Sequence, residues 1–486
     1  GNNAGNHAGG FRNESGWSIV TLNDTKITTN TTTQHHAGGF WNRGSVIGQD
    51  VIISGNRNAT AQATADSNDN NVGGGFWNNG DGAYVDLTRV EVTDNESHGR
   101  GGGIYNDSRA ETRLTDFIIS GNSTDQNNSE SQGRGGGIWN SSGADVILNR
   151  GEVSENTSLG HGGGIYSQES GASVLATNVT FSGNQAGIDP GEGFEGSMVG
   201  GGFWAQSNGG RVEFDHVTFT ENQATRPNAD TGAGFRIDSS GIHMLMKDTV
   251  AYGNERGLGG TLVDDDVDQN ITAANFILEG NNIVGFRSGN AMSGGTGSVT
   301  EGYSAANDPG FLALADNGGA ILPSGSAPRT HALSIGASSL LNAATSSTLT
   351  EDQRGIARPI GAANDIGAFE GPDTAYVNDQ WSAASPLDLV DGDRELGGSQ
   401  DAYVGVGAFA SVTDLLAKYP SFTGDIVVNG GTYLTIDLSA GTAGDINLLF
   451  VQDLADSETA VNVTTLNGDV NDGINLSNHG SPVDLN

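Results

Sequence analysis

The stretch HGRGGGIYND, residues 98–107, places three consecutive glycines before a branched aliphatic residue, an aromatic residue and an amide. Closely similar clusters occur at HAGGFRN (7–13), HHAGGFWN (35–42), VGGGFWNN (72–79), RGGGIWNS (134–141), HGGGIYSQ (161–168), VGGGFWAQ (199–206) and GAGFRID (232–238). From Gly10 to Gly234, the last glycines of the first and last clusters, the mean interval is (234 − 10)/7 = 32 residues. A period of this length is typical of a solenoid of stacked repeats.

A second landmark has the same period: an apolar residue, two small or polar residues and an asparagine. The asparagines are Asn30, Asn56, Asn95, Asn122, Asn156, Asn184, Asn222 and Asn254. From glycine cluster to asparagine the distance is 17–20 residues, whereas from asparagine to the next cluster it is 8–19 residues. Each repeat therefore has a fixed part and a variable loop.

The fixed part has the alternation of β-strands. In GASVLATNVTFSGN, residues 171–184, apolar residues alternate with small polar ones and follow no helical period. The pattern predicts an all-β, right-handed parallel β-helix over residues 1–371. We expect glycine at each tight corner to take a positive φ and to let neighbouring backbones approach closely. We also expect the asparagines to stack as a ladder, with Ile104 pointing inward and Tyr105 outward.

Two sets of motifs resemble known families. The glycine clusters, with FSGN (181–184) and FTEN (219–222), resemble the repeats of polymorphic outer-membrane proteins and related bacterial surface β-helices. The segments ADNGG (315–319), RTHAL (329–333), DQRGIARP (352–359) and DIGAFE (365–370) look like the end of the β-helix in bacterial proteins with a choice-of-anchor Q domain. Together these resemblances cover roughly residues 1–371. They imply an exported, surface-displayed passenger, extracellular or on the bacterial cell surface, but they do not imply an enzymatic reaction.

A second unit is predicted after an irregular linker at 372–403. Within 404–486, Ser411 is a suitable N-cap for a short helix carrying Val412, Leu415 and Leu416, and strand alternation then resumes. This order resembles the capping helix at the start of pectate-lyase-like β-helices. Residues 404–486 are therefore expected to begin a second, short β-helix-like module. Both ends of the chain are expected to be cuts through a longer repetitive protein. The first coil is expected to be covered either by preceding repeats of the same polypeptide or by the C-terminal module of a neighbouring copy, and the second arrangement would build a head-to-tail filament.

Composition narrows the range of partners. The chain has 58 acidic and 21 basic residues and a formal net charge of −37, which argues against nucleic acid and anionic membrane surfaces. Cysteine is absent from the sequence, so disulfides and thiol chemistry are excluded. No apolar run approaches the ~20 residues of a membrane span, so this segment is not expected to insert into a membrane.

The acidic segment VDDDVDQN, residues 263–270, is the candidate cation site. In a single strand Asp264, Asp266 and Asp268 share one face, and three carboxylates suit calcium. The alternative is a solvated acidic edge. No cofactor is expected to be required, and calcium is the one candidate.

One column of aromatic residues occupies the same repeat position and is the candidate contact surface for glycans or a partner: Trp41, Trp77, Tyr105, Trp139, Tyr166 and Trp204. It can stack on sugar rings, or it can be a structural column whose members stabilise one another. His7, His36 and His161 precede the glycines where other repeats carry Arg100 or Arg134, which favours corner hydrogen bonding over metal binding. The long loops at 57–72, 123–134 and 185–199 are a further candidate binding surface.

These observations predict a non-enzymatic structural or adhesive β-helix. The alternative is a carbohydrate-active β-helix enzyme, a polysaccharide lyase or glycoside hydrolase, which needs a basic proton acceptor or paired carboxylates at a cleft. The three lysines, Lys26, Lys247 and Lys418, lie beside no repeated carboxylate column. Arg354 is better explained by an ion pair with Asp352 or Asp365 than by catalysis. Other copies or segments of the same protein, and surface glycans, are the expected partners.

Overall fold

The computed structural model confirms the all-β class, with 48% strand and 3% helix. It describes residues 1–5, 7–33, 36–58, 72–124, 133–187, 199–206, 208–225, 231–239, 241–257, 262–271, 275–302, 308–335, 338–372, 374–391, 401–419, 422, 424–429, 431–433, 436–437, 446–451, 461–463, 466–467, 475–479 and 483–485.

Three long sheets form the first unit, and each repeat contributes one strand or a pair of short strands to each sheet in turn. Sheet A contains Asn3–Ala4, Thr31–Thr32, Arg57–Asn58, Glu96–Ser97, Ser123–Thr124, Thr157–Ser158, Gln185–Ala186, Gln223–Ala224, Glu255–Arg256 and Val263–Asp264. Sheet B contains Phe11–Asn13, Phe40–Asn42, Phe76–Asn79, Ile104–Asp107, Ile138–Asn140, Ile165–Gln168, Phe203–Gln206, Phe235–Ile237, Val267–Gln269 and Arg287–Gly289. Sheet C contains Ile19–Thr28, Ser45–Ser54, Tyr84–Thr93, Glu111–Ser120, Asp145–Ser154, Ser173–Ser182, Arg211–Thr220, His243–Lys247, Val250–Ala251, Phe276–Glu279, Asn281–Val284 and Ser298–Glu301.

Successive repeats stack as coils of a parallel solenoid. We number the coils from 1, each comprising its sheet B, sheet C and sheet A strands in chain order. Strands from neighbouring coils pair in parallel and in register, as in Ile104 with Ile138 and Tyr105 with Trp139. The exception is the last strand of sheet A, Val263–Asp264, which pairs antiparallel with Glu255–Arg256. Ile104 belongs to the central apolar core, whereas Tyr105 belongs to a separate outer cluster. The predicted inward and outward directions of these two residues are therefore confirmed.

The predicted asparagine ladder runs along the corner between sheets C and A. Each Nδ2 donates to the Oδ1 of the asparagine in the next coil, from Asn30 to Asn254, at 2.8–3.0 Å. The same Oδ1 also accepts the backbone N–H of the previous asparagine, as Asn156 Oδ1 does from Asn122 N at 3.0 Å. The ladder therefore satisfies buried backbone groups at a corner where strand pairing is interrupted.

Different glycines of each cluster account for the two predicted features, the positive φ and the close approach of neighbouring backbones. In coil 4, Gly101 has a φ of +63°. A Cβ on Gly102 would lie 2.3 Å from the carbonyl oxygen of Gly136 and 2.5 Å from that of Ser123, while its φ is not in the left-handed region. The positive φ and the close backbone approach therefore belong to different glycines of one triplet.

Each ten-residue strand of sheet C is bent at its sixth residue, which takes a positive φ without being glycine. In coil 3 this residue is Arg89, with a φ of +51°. The bend shifts the alternation by one position, so that Val85 and Leu87 before it and Val90 and Val92 after it all face the core. The residues in this column are Asp24, Asp50, Arg89, Asp116, Arg150, Asn178, His216 and Asp248.

Residues 308–335 and 338–371, which we call the strap, lie against the outer face of sheet C. The two strands of the strap, Phe311–Ala315 and Thr330–Leu333, pair only with each other and join none of the three long sheets. Ser324 N donates to Glu91 Oε1 in coil 3, and Ala368 N donates to Thr218 Oγ1 in coil 7. The prediction that this segment forms the end of the solenoid is therefore wrong, because its polar groups are matched to side chains along the flank.

The second unit contains three further sets of parallel strands. They are Ala375–Val377, Ala408–Phe409, Gly424–Val428, Ile446–Val451 and Asn475–His479; then Gly431–Tyr433, Val461–Val463 and Val483–Leu485; and then Ile436–Asp437 and Leu466–Asn467. Two antiparallel strands, Leu389–Asp391 and Asp401–Tyr403, and a 3-10 helix, Asp379–Ala383, complete its described elements. The parallel arrangement supports the prediction that a second solenoid begins in this region.

The predicted helix is present, but the predicted linker is not irregular throughout. The helix spans Val412–Lys418, and Ser411 Oγ accepts the N–H of Asp414 as the N-cap. Ala375–Val377, placed in the linker by the sequence, pairs in parallel with residues 426–428. The linker assignment is wrong for this strand, because its alternating apolar residues Ala375 and Val377 are buried with the second unit.

Candidate functional site: the aromatic column and the end of the asparagine ladder

The six aromatic residues predicted to form a column do so on the outer side of sheet B. Register places one residue of the column in each of coils 2–7. Successive ring centroids are 4.7–5.8 Å apart, from Trp41 to Trp204. The order inward, outward, amide in FWN and IYN therefore fixes an apolar core column, an outer aromatic column and an amide column in adjacent positions.

Cationic side chains lie against this aromatic column. The Arg12 guanidinium is 4.3 Å from the centroid of Trp41, and Arg100 is 4.4 Å from that of Trp139. Arg236 occupies the column position next to Trp204 in coil 8, and Asp238 Oδ2 accepts from both Trp204 Nε1 and Arg236 Nε. Cation–π contact and these hydrogen bonds stabilise the column along its length and at both ends.

The histidines before the glycines also pack against the column, with His36 stacked on Trp77 and His161 tilted against Trp204. His36 lies 4.7 Å from Trp77, and His161 lies 4.2 Å from Trp204, between ring centroids. His161 Nδ1 in addition accepts the N–H of Val199 at 3.4 Å, a corner hydrogen bond of the predicted kind. Histidine and arginine interchange at this position because both present a flat group that can lie over an aromatic ring.

Burial decides between the two interpretations of the column. None of its six side chains is more than 9% exposed. Burial raises the pKa of the Tyr105 and Tyr166 hydroxyls, so both stay neutral. Because the ring faces contact neighbouring rings and cations, they are not open to a sugar, and the geometry favours the structural interpretation.

The three aspartates proposed as a calcium site do not share one strand face. Asp264 is exposed in a sheet A strand, Val263–Asp264, whereas Asp268 lies in a sheet B strand, Val267–Gln269. Asp268 Oδ2 pairs with Arg236 Nη1 at 2.6 Å. The single-strand premise is wrong because the chain turns a corner between the two strands. Among the described residues, no group of three or more histidine, aspartate or glutamate side chains could hold a metal ion.

Asp266 instead ends the asparagine ladder. Its Oδ1 accepts from Asn254 N at 2.8 Å and from Asn254 Nδ2 at 2.7 Å, while its Oδ2 accepts from Phe286 N at 2.7 Å. The carboxyl group thus takes the place of a ninth asparagine. The sequence hides this role because the residue type changes at the last position.

A second amide ladder on sheet B was also not predicted. Asn13, Asn42, Asn78, Asn106 and Asn140 are linked through side-chain bonds of 2.8–3.1 Å. Its sequence signal is the amide that follows each aromatic residue, in FRN, FWN, IYN and IWN. The signal stops at Ser167 and Ala205 in coils 6 and 7.

Replacing Asp266 with asparagine is expected to remove a loss of folding stability that the wild type undergoes as the pH rises from about 4 to 7. Burial raises the pKa of Asp266 to about 7. The unfolded carboxyl ionises near pH 4, so between about pH 4 and 7 only the folded state retains this proton. The raised pKa of Asp266 therefore contributes roughly 4 kcal/mol to the free energy of unfolding. This contribution is present in full below pH 4 and is lost as the pH rises through 7.

The measurement is urea unfolding of both proteins at pH 4.5, 6 and 7.5. Burial lowers the pKa of His216 and His331, which destabilises the folded state toward acid in the same range. Both histidines are present in wild type and variant, so the difference between the two proteins isolates Asp266. Asp24→Asn, at an exposed position in coil 1, is the control. Parallel curves for wild type and Asp266→Asn would contradict the assignment.

Most of each predicted binding loop lies outside the described residues, at 59–71, 125–132 and 188–198. Within the part of the chain that is described, no helix combines the length and hydropathy needed to cross a membrane. No family model, curated protein or solved structure matches the chain. The resemblances to surface β-helix families therefore rest on the motifs quoted above.

Proposed function

We propose that this chain is a non-enzymatic structural and adhesive segment of a large exported protein. In this proposal it is a right-handed parallel β-helix, displayed outside the cell or on a bacterial surface. The observation that carries the proposal is a single buried apolar cluster that joins the solenoid, the strap and the second unit. A continuous core of this kind suits a rigid spacer between repeated modules.

The cluster contains residues from every part of this junction. Ile283 comes from coil 9, Phe369 from the strap, Leu415 from the helix and Ile426 from the second unit, and all four are buried together. Because close-packed interiors transmit strain with little compression, force applied to one unit reaches the next through this core. That property is what a stalk or fibre requires.

The surroundings of several candidate catalytic groups also support a structural role. Lys247 Nζ pairs with Asp215 Oδ2 at 3.2 Å. Arg354 pairs at 2.6 Å with Asp352, one of the two partners that the sequence predicted for it. The Arg354 and Asp352 side chains are 0% exposed, so substrate does not reach them. The proposed partners are other copies or segments of the same protein, joined head-to-tail, and surface glycans.

The test combines a turnover assay with surface labelling. The intact chain is incubated with a panel of neutral, uronic-acid and sulfated polysaccharides, with a pectate lyase as positive control. We expect no new reducing ends or unsaturated products above a heat-denatured sample. An antibody against the chain is expected to label intact cells of the source as strongly as permeabilised ones. Product that increases with protein concentration, or labelling only after permeabilisation, would contradict the proposal.

A further inference from the structure

An open polar cleft lies along the turns between sheets B and C. It has a volume of about 430 Å³ and spans coils 2–5. Its lining residues are Arg43, Asn79, Gly80, Asp81, Ser108, Arg109 and Ser142. We propose that this cleft binds a glycan carrying carboxylate or sulfate groups, a proposal that rests on the adhesive role above and names the ligand class for it.

Two exposed arginines supply the cationic groups of the cleft. Arg109 Nη1 is 3.7 Å from Asp81 Oδ2, and these side chains are 74% and 81% exposed. A pair this open contributes little to stability, so the guanidinium is available to a ligand. Arg43 is exposed, and its guanidinium lies over the Trp41 ring, 5.9 Å from the centroid. In a chain with a net charge of −37, these two arginines offer localised cationic groups beside the carboxylates of the cleft rather than a net positive surface.

The backbone and the short polar side chains complete a sugar-binding environment. Ser108 and Arg109 have φ values of +60° and +63°, and Ser142 has one of +49°, so non-glycine residues hold strained turns here. Among the described residues, Asn79 Nδ2 donates at 3.3 Å to Asp107 Oδ2 and to Ser108 Oγ. These groups can donate to and accept from ring hydroxyls, while the arginines bind acidic substituents through paired hydrogen bonds.

An exposed tryptophan in coil 1 extends the candidate glycan-binding surface beyond the cleft, which itself spans coils 2–5. Trp17 is 96% exposed in the coil 1 turn beside the coil 2 turn of Arg43 and Gly44. The two turns are held together by the bonds from Arg43 N to Asn13 O at 2.7 Å and from Ser45 N to Ser18 O at 2.9 Å. An indole face open to solvent stacks on the apolar face of a sugar ring. Indole and arginines on one edge therefore favour a glycan over an isolated small anion.

The carboxylates near the cleft determine which sugars it accepts. Asp81 lines it, Asp107 lies beside Asn79, and Glu169 Oε2 accepts from Ser142 Oγ at 2.5 Å. A uniformly charged polymer meets these carboxylates, whereas a glycan with spaced acidic groups places neutral hydroxyls against them. Spaced acidic groups are thus the expected pattern.

The experiment is isothermal titration of the full chain with three hexasaccharides: a hyaluronan hexasaccharide, whose carboxylates alternate with neutral sugars, a κ-carrageenan hexasaccharide with one sulfate per disaccharide, and neutral cellohexaose. At least one anionic probe is expected to bind, and more tightly than cellohexaose. The double variant Arg43→Ala/Arg109→Ala is expected to weaken that binding at least tenfold, and Trp17→Ala about threefold. The matched control Arg113→Ala/Arg211→Ala removes the same charge from exposed pairs with Glu111 and Glu213, and it is expected to change affinity less than twofold.

Each remaining outcome overturns the inference. The inference is wrong if neither anionic probe binds or if cellohexaose binds as tightly as the anionic probes. It is also wrong if the two double variants lose the same amount of affinity. Circular dichroism checks that the variants stay folded, and the side chains changed are on the surface. Hydrolysis or elimination products from a probe would overturn the non-enzymatic function instead, so the two failures are distinguishable.

Discussion

Gly102→Ala is expected to lower the free energy of unfolding by about 3 kcal/mol or more, although it adds a single methyl group. The new Cβ would lie 2.3 Å from the Gly136 carbonyl oxygen and 2.5 Å from the Ser123 carbonyl oxygen. Both oxygens are backbone atoms of neighbouring strands, so no side-chain rotation can make room. The coils on either side must separate, which also lengthens the hydrogen bonds between them.

Two control variants separate crowding from backbone strain. Gly82 has a φ of +78° and open space around its Cβ position, so Gly82→Ala tests strain alone and is expected to cost about 1 kcal/mol. Gly16 meets only the Arg43 carbonyl oxygen at 3.9 Å and has no positive φ, so Gly16→Ala is expected to be neutral. Urea midpoints and melting temperatures by circular dichroism are the measurements. If Gly102→Ala and Gly16→Ala have the same melting temperature, the close backbone approach that we describe at the Gly102 corner is incorrect.

Arg358→Ala is expected to destabilise the strap by about 3–5 kcal/mol, because it leaves buried carboxyl groups without their cation. Arg358 Nη1 donates to Glu370 Oε2 at 2.8 Å, and Nη2 donates to the Gly367 carbonyl oxygen at 2.7 Å. The Arg358 and Glu370 side chains are 0% exposed. Burial raises the pKa of Asp365 and of Glu370, which shows how poorly this pocket tolerates negative charge.

In Arg358→Ala we expect the strap to open locally, in addition to the loss of overall stability. Limited proteolysis should cleave within 338–371 in Arg358→Ala before the solenoid unfolds, and amide exchange should increase at Gly367 and Ala368, which donate to Asp248 and Thr218. Arg113→Ala, in a half-exposed pair with Glu111, is the control and is expected to cost less than about 1 kcal/mol. Equal protease resistance and equal melting of the two variants would show that the strap is held by other contacts.

The repeat in the sequence was sufficient to predict the stacked coils. Each repeated residue contacts the equivalent residue of the next coil. Residues about 32 positions apart in the sequence are therefore expected to be neighbours in the structure. The asparagine ladder, the aromatic column and the inward position of Ile104 followed for this reason. The helix at Val412–Lys418 followed from local signals, its N-cap at Ser411 and its apolar spacing.

The tertiary structure alone decided the contacts that occur once. Arg329 reaches Glu152 across 177 residues, and Ser324 reaches Glu91 across 233 residues. Periodicity carries no information about such pairs, so the strap was expected at the end of the solenoid and lies instead on its flank. The roles of Asp264, Asp266 and Asp268 were hidden for a related reason, because a corner separates residues that are adjacent in sequence. Repeated contacts are set by the local pattern, whereas unique contacts depend on which surfaces meet after the coils have stacked.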